Sequence, residues 1–398
     1  MASVCMYFHV HQPYRVRKYK IFDIGSNSSY FDDSIDGRQS NIAVIKKVAQ
    51  KCYLPTNALL LHLLEKYPEF HVSFSITGVI LDQFMEYAPE VLISFQKLVK
   101  TGKVEIIGET YHHSLSFLFS KDEFKNQIKE HEKKIQIIFD TTPKVFRNTE
   151  LIYNNDLANY ISELGYTGIL AEGADRILDW RSPNFIYNPP GNEKISILLK
   201  NYKLSDDIAF RFGEKSWSQW PLTAPKFAKW VNNINGNGNL VNLFMDYETF
   251  GEHQWESTGI FNFLESLPGE ILSYKDNDFV TPSMAIKKYK SVGELDVPDF
   301  TSWADTERDL SAWMSNDIQK EASLKLYALR DKVIKSKDKK LINDWKKLTT
   351  SDHVYYMCTK WFNDGDVHKY FNPYDSPYEA FLYFMRVLSD LNRRVELI

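Results

Sequence analysis

The sequence predicts an α/β protein: a closed or nearly closed β/α barrel of about seven strands, followed by a helical region. Short apolar runs alternate with helix-period segments through the first 256 residues, as parallel strands joined by crossover helices do. His11, Glu109, Glu150 and Asp246 all stand where such a run ends, and a barrel gathers its strand C-termini at one mouth. An open doubly wound sheet would concentrate chemistry at one switch point instead. After residue 255 the strand patterns fade and helical ones dominate.

Residues 2–10, ASVCMYFHV, read as a strand that enters His11-Gln12-Pro13, where Pro13 stops it. Residues 14–40 are polar, carry Gly25 and Gly37, and read as an insertion loop. Thr56 is placed to cap a helix over 57–67. Residues 70–76 alternate as a strand, and helical patterns follow over 79–87 and 89–100. Gly102 ends the second, and 104–109 is a strand ending in Glu109. Ser120 and Glu123 make a capping box for a helix carrying Phe124, Ile128, Ile135 and Ile138. A strand over 144–150 ends at Glu150. Asn154 or Asn155 caps a helix reaching Leu164, with Gly165 as its C′ residue.

Further strands are expected over 166–171, 184–188 and 195–200, no clear element over 207–212, and a helix over 225–234. The turn Gly236-Asn237-Gly238-Asn239 precedes the apolar strand that ends at Asp246. Helices are expected over 258–267, 283–289, 318–334, 339–349, 352–361 and 377–394. Ser376 as N-cap, Pro377 at N1 and Glu379 at N3 open the last one. The lysine-rich stretch 333–347 reads as a solvated face. The expected division is a catalytic barrel over 1–256 and a helical region over 257–398 that packs on it and brings Trp303–Trp313 to the site.

The net charge of −4 argues against a general nucleic-acid binder. Three scattered cysteines offer neither a disulfide framework nor a metal pair, and point to a reducing compartment. There is no basic leader, and no apolar run approaches the roughly 18 residues a membrane span needs, so a soluble cytoplasmic protein is expected. Nine tryptophans and 23 tyrosines suit stacking on sugar rings, but such residues also fill cores.

Glu150 and Asp246 are the candidate catalytic pair. Breaking a glycosidic bond takes one acid to protonate the leaving oxygen and one carboxylate to attack or stabilise the anomeric centre. Either acid alone is an ordinary salt-bridged residue at a strand end. Several at one rim are costly to bury without a purpose. His9 and His11 share one strand face, which allows a metal pair. One packed and one substrate-binding histidine is the reading favoured here. Trp303 and Trp313 bracket Asp305, Glu307, Arg308 and Asp309. That pattern fits a sugar platform with Asp305 gripping hydroxyls, and equally a helix N-terminus with two core tryptophans. Phosphate-binding glycine loops and Gly-x-Ser-x-Gly elbows are absent.

Five blocks, in order, resemble glycoside hydrolase family 57, the α-amylase and 4-α-glucanotransferase family. They are His11-Gln12-Pro13, the run from Val104 to Ser114, Phe146 to Leu151, Phe244 to His253, and Trp303 to Trp313. The resemblance implies a (β/α)7 barrel followed by a helical domain. It implies action on α-1,4-glucans or maltooligosaccharides with retention, and no metal or other cofactor. By position, Glu150 matches the nucleophile and Asp246 the general acid/base. His11, Glu109 and Asp305 match substrate-binding positions. His113, Arg147, Glu248, His253, Trp303 and Trp313 complete the expected substrate contacts. A 4-α-glucanotransferase or branching enzyme would use the same site. A metal-dependent carbohydrate deacetylase or mannosidase-like enzyme, or a non-catalytic glucan-binding protein, is the more distant alternative.

Overall fold

The computed structural model describes residues 2–31, 40–360 and 367–398. Residues 32–39 of the expected insertion loop and the end of the expected 352–361 helix lie outside the described residues.

Nine strands are described: β1 (Ala2–Val10), β2 (Val72–Ile76), β3 (Val104–Ile106), β4 (Val145–Arg147), β5 (Gly168–Glu172), β6 (Ile186–Tyr187), β7 (Ser196–Lys200), β8 (Leu240–Asp246) and β9 (Asn277–Phe279). They form two ladders, β3-β2-β1-β8 with β9 also on β1, and β4-β5-β7-β6. The pairings are parallel except for β6 on β7. The ladders meet at both edges. Gly108 N–H donates to Val145 C=O at 2.9 Å and Arg147 N–H to Gly108 C=O at 2.8 Å. Opposite, Asn201 N–H donates to Asn242 C=O at 2.9 Å. The circuit β1-β2-β3-β4-β5-β7-β8 is therefore a nearly closed, seven-stranded parallel barrel, consistent with the expected incomplete (β/α)7 barrel.

Side chains alternate along each strand, which sorts them into two cores. Cys5, Tyr7, Val145, Leu170, Leu198 and Phe244 fill the barrel interior. Their neighbours Met6, Phe8, Phe74, Leu243 and Met245 face the surrounding helices. Two residues beyond the inner layer, at the C-terminal ends, come His9, Arg147, Lys200 and Asp246, with Glu172 on the same face of β5. The alternation alone thus aims these polar side chains into the mouth.

Three expectations are corrected. The helix around Thr56 begins at Asn41, capped by Ser40, and passes a π turn over Ala49–Tyr53. Thr56 does not cap it; its hydroxyl donates to Cys52 C=O at 2.6 Å inside the helix. Residues 202–209 are helical, capped by Asn201. The boundary at 256 falls inside the barrel unit, because β9 pairs with β1 and helix Ile260–Leu272 packs into the outer barrel core.

The helices from Asp317 to Glu396 surround a separate core of Leu326, Trp345, Met357, Phe384, Val387 and Leu391, which Tyr19 and Tyr30 join. Ser376 accepts from Glu379 N–H, as expected of its cap. The 333–347 stretch is only partly a solvated face: Val333, Leu341 and Trp345 are buried, and Lys347 lies 3.6 Å over the Tyr14 ring. No described helix is long and apolar enough to cross a membrane.

Candidate active site

Around the barrel the mouth residues read His9, Ser75, Glu109, Arg147, Glu172, Lys200 and Asp246. From Glu109 to Asp246 their charges alternate in sign. Each buried charge has neighbours of opposite charge, which offsets part of its desolvation cost. His9 is fixed by Ser75, 2.9 Å from its Nδ1. Glu109 is fully buried, and neither of its oxygens has a hydrogen-bond partner among the described residues.

Glu150 sits above this layer, in the turn after β4. Glu150 and Leu151 both adopt left-handed backbone, with φ of 57° and 51°. Two such non-glycine residues in succession are costly, and strain of this kind gathers at functional sites. The turn is held by Leu151 N–H to Asn148 C=O at 3.0 Å, Ile152 N–H to Thr149 C=O at 2.9 Å and Thr149 Oγ1–H to Ser114 C=O at 2.8 Å. The Glu150 carboxylate accepts two hydrogen bonds, from His113 Nε2 at 2.9 Å and Trp303 Nε1 at 2.7 Å.

These partners set the charge state. Burial alone would raise the Glu150 pKa; the His113 bond and charge, then Arg147, outweigh it and hold Glu150 below the usual carboxylate range. Burial opposes a charge on His113, yet Glu109 and Glu150 lift it to about 9. Its Nδ1 lies 3.6 Å from Glu109 Oε2. Asp246 moves the other way. Burial and then the Glu150 charge raise it to about 6, against Arg147, Lys200 and His113. One acid is held ionised and the other keeps its proton up to about pH 6, which is the separation acid/base chemistry needs.

Trp303 comes from the loop beyond the barrel. Its backbone N–H donates to Glu150 C=O at 3.2 Å, and its ring lies 4.9 Å from the Arg147 guanidinium and 5.3 Å from the Lys200 ammonium. Trp303→Phe keeps the ring and removes the Nε1–H donor. Glu150 is then expected to titrate higher, moving the acidic limb of kcat/KM to higher pH and lowering kcat by about tenfold. A pH profile with an unmoved acidic limb would contradict this role.

The remaining candidates divide. His11 is at the site: its ring lies 4.2 Å from His113, Nδ1 is 2.9 Å from Thr77, and Nε2 is 3.1 Å from Asp352. Asp305 does not offer a free carboxylate, since His368 Nε2 holds it at 2.9 Å and Lys360 at 3.4 Å. Trp313 is fully buried against Tyr355 and Val354, so the core reading replaces the platform reading for it. Glu248 is buried behind Asp246 and accepts from the Tyr53 hydroxyl; burial and then Asp246 push it up to about 8. His253 packs against Phe371 at 5.7 Å, and burial lowers it to about 4.

Four residues were missed. Glu172 and Lys200 end apolar runs just as Asp246 does, a signal present in the sequence. Arg308 reaches Glu172 at 2.9 Å from the Trp303 loop. Asp352 comes from a helix remote in sequence, and no local pattern marks it. Burial would raise the Asp352 pKa; the charge and hydrogen bond of His11, then the charge of His113, outweigh it and hold Asp352 far below the usual range.

Among the described residues, two trios could bring ligands to a metal ion: His9, Glu109 and His113, or His11, His113 and Asp352, with donor atoms within 4.8 Å of one another. His113 belongs to both. Its Nε2 is bonded to Glu150, and two carboxylates keep the ring protonated beside Arg147. A cation would have to displace a proton from it and disrupt the Glu150 contact, so the donor set fits a metal poorly.

A Methanocaldococcus jannaschii protein described as "Putative alpha-amylase" is 45% identical over 395 residues, covering 96% of this chain and 82% of that protein. A branching enzyme from Pyrococcus horikoshii superposes with a TM-score of 0.70 at 15% identity, over 98% of this chain and 88% of its own. A 4-alpha-glucanotransferase from Thermococcus litoralis superposes with a TM-score of 0.60 at 17% identity, over 93% of this chain but 54% of its own. These two structures share the fold. Residues 5–298 match the sequence model of glycosyl hydrolase family 57, and with a relative so similar along nearly the whole chain, this protein belongs to that family.

Proposed function

We propose that this glycoside hydrolase cleaves α-1,4-glucosidic bonds of starch- or glycogen-type glucans or maltooligosaccharides with retention, Glu150 acting as nucleophile and Asp246 as acid/base. The observation that carries the roles is the opposite setting of the two carboxyl groups. Glu150 is held ionised by His113 and Trp303, while Asp246 is raised to about 6. The α-glucan substrate is supported by the relative's description as a "Putative alpha-amylase".

In the first step Glu150 attacks the anomeric carbon as Asp246 gives its proton to the leaving sugar oxygen. Esterification removes the Glu150 charge, and with it the main ionic push on the Asp246 pKa. Asp246 is then the better placed to stay ionised and take a proton from the incoming water. That water attacks the anomeric carbon and frees Glu150. The three described cysteines are free and buried, which suits a reducing compartment, and a cytoplasmic location is part of this reading.

The alternative is transfer to a glucan hydroxyl, as the names of the two structural neighbours suggest. Maltoheptaose separates the two. Hydrolysis is expected to raise reducing ends in step with substrate loss, whereas a product ladder at constant reducing ends would establish transfer. Turnover is expected to survive a chelator, and its loss, restored by added metal, would favour a metal-dependent carbohydrate enzyme.

A further inference from the structure

Lys200 is buried at the end of β7, directly opposite Glu172 in the β5–β7 register. Its ammonium lies 3.0 Å from Asp206 and 3.7 Å from Glu172. Arg308 reaches the same two acids, at 2.9 Å from Glu172 and 3.7 Å from Asp206, and lies 4.1 Å over the Tyr202 ring. Two acids and two bases form a box in which each acid faces a base. The box also fastens the Trp303 loop. Ser302 N–H donates to Arg308 C=O at 3.0 Å, and Trp303 lies 5.3 Å from the Lys200 ammonium. The indole in turn donates to Glu150.

We propose that Lys200 is a positioning residue for both catalytic carboxylates: pinned by Glu172 and Asp206, it seats Trp303 against Glu150 and holds a fixed positive charge toward Asp246. This rests on the roles given to Glu150 and Asp246. The ionisable groups acting on or acted on by Asp246 are Glu150 and Arg147, His113, Lys200, Tyr7 from β1, and Glu248 from its own segment. Lys200 opposes the acids among them. Without its charge Asp246 keeps its proton to higher pH.

Glu172 complicates the readout, because burial, against Lys200 and Arg308, pushes it up to about 7. Glu172→Gln therefore serves as the reference background. Lys200→Met/Glu172→Gln differs from it only at residue 200 and leaves Asp206 paired with Arg308. Both variants are assayed with maltoheptaose across pH, alongside wild type, Lys200→Arg and Glu150→Gln.

Relative to Glu172→Gln, the double variant is expected to lose about ten- to hundredfold in kcat. Its alkaline limb moves to higher pH. Lys200→Arg keeps the charge and the cation–π contact, and holds the limb near wild type. A folded double variant with the kcat and limbs of Glu172→Gln overturns the proposal, since a purely structural role would move only the melting temperature. Should the double variant not fold, Glu172→Gln decides alone. Its alkaline limb shifts to lower pH as Lys200 is less neutralised, and an unmoved limb overturns the proposal. Wild-type turnover in Glu150→Gln would instead mean that the carboxylate assignment itself has failed. An inactive Glu150→Gln beside unaffected Lys200 variants sinks the Lys200 proposal only.

Discussion

Glu150→Gln is expected to lower kcat by about 10⁴- to 10⁶-fold, the range seen when a covalent nucleophile is removed. The amide fills the same space, so the turn at 148–151 and the barrel should stay folded. The amide oxygen accepts one of the two hydrogen bonds that Glu150 now takes from His113 and Trp303. The amide N–H group meets the other donor, and His113 loses a charged partner that keeps it protonated. Glucan binding should survive, because Arg147, His11 and Glu109 are untouched. Azide separates loss of the nucleophile from general damage. In the cavity of a smaller variant, Glu150→Ala, azide attacks the anomeric carbon in place of the carboxylate and yields the β-glycosyl azide, inverted from the α-substrate. Undiminished turnover in Glu150→Gln, or no azide product from a folded Glu150→Ala, would move the nucleophile elsewhere.

The parts of the site that were legible share one local signal, an apolar run ending in a charged residue. Asp246, Glu109 and Glu150 were read by it, and the period-two alternation of strands aims Asp246 and Glu109 into the mouth, whereas β4 ends at Arg147 and leaves Glu150 in the turn beyond it. Glu172 and Lys200 carried the same signal. Their importance appears only when β5 and β7 pair and set them opposite one another, which is a fact of register rather than of either strand. Asp352 had no signal because its bond to His11 spans 341 residues of sequence. Trp313 and Trp303 looked alike beside the same acids. Packing against Tyr355 buries one, while a hydrogen bond to Glu150 claims the other. The fold was lost in smaller pieces. β9 is three residues, Asn277-Asp278-Phe279, too short and polar to show a period. Thr56 suggested a helix start, but a π turn lets the helix that begins at Asn41 run through it.

Asp246→Asn is expected to lower kcat on maltoheptaose by about 10²- to 10⁴-fold, the usual worth of a general acid/base. The loss should depend on the leaving group. A glucan oxygen needs a proton to depart, whereas an acidic phenol does not. An aryl α-glucoside or maltoside with such a phenol should therefore form the glycosyl-enzyme almost as fast as in wild type. Its hydrolysis then stalls, because no base activates water. Azide needs no deprotonation, so it should restore turnover and give the α-glycosyl azide, the opposite anomer from the Glu150→Ala product. The pH profile supplies an independent check. The first step requires Glu150 ionised and Asp246 protonated. Glu150 lies below the usual carboxylate range and Asp246 near 6. Wild-type kcat/KM should thus rise at acidic pH as Glu150 ionises, and fall as pH passes about 6 and Asp246 loses its proton. Asp246→Asn should lose that fall. A residual limb near 7 would belong to Glu172, and one near 9 to His113, both of which the variant retains. If the fall near 6 persists in Asp246→Asn, the proton donor is another residue. Two anomers from two variants, together with a limb that vanishes in only one, would fix each carboxylate's role separately.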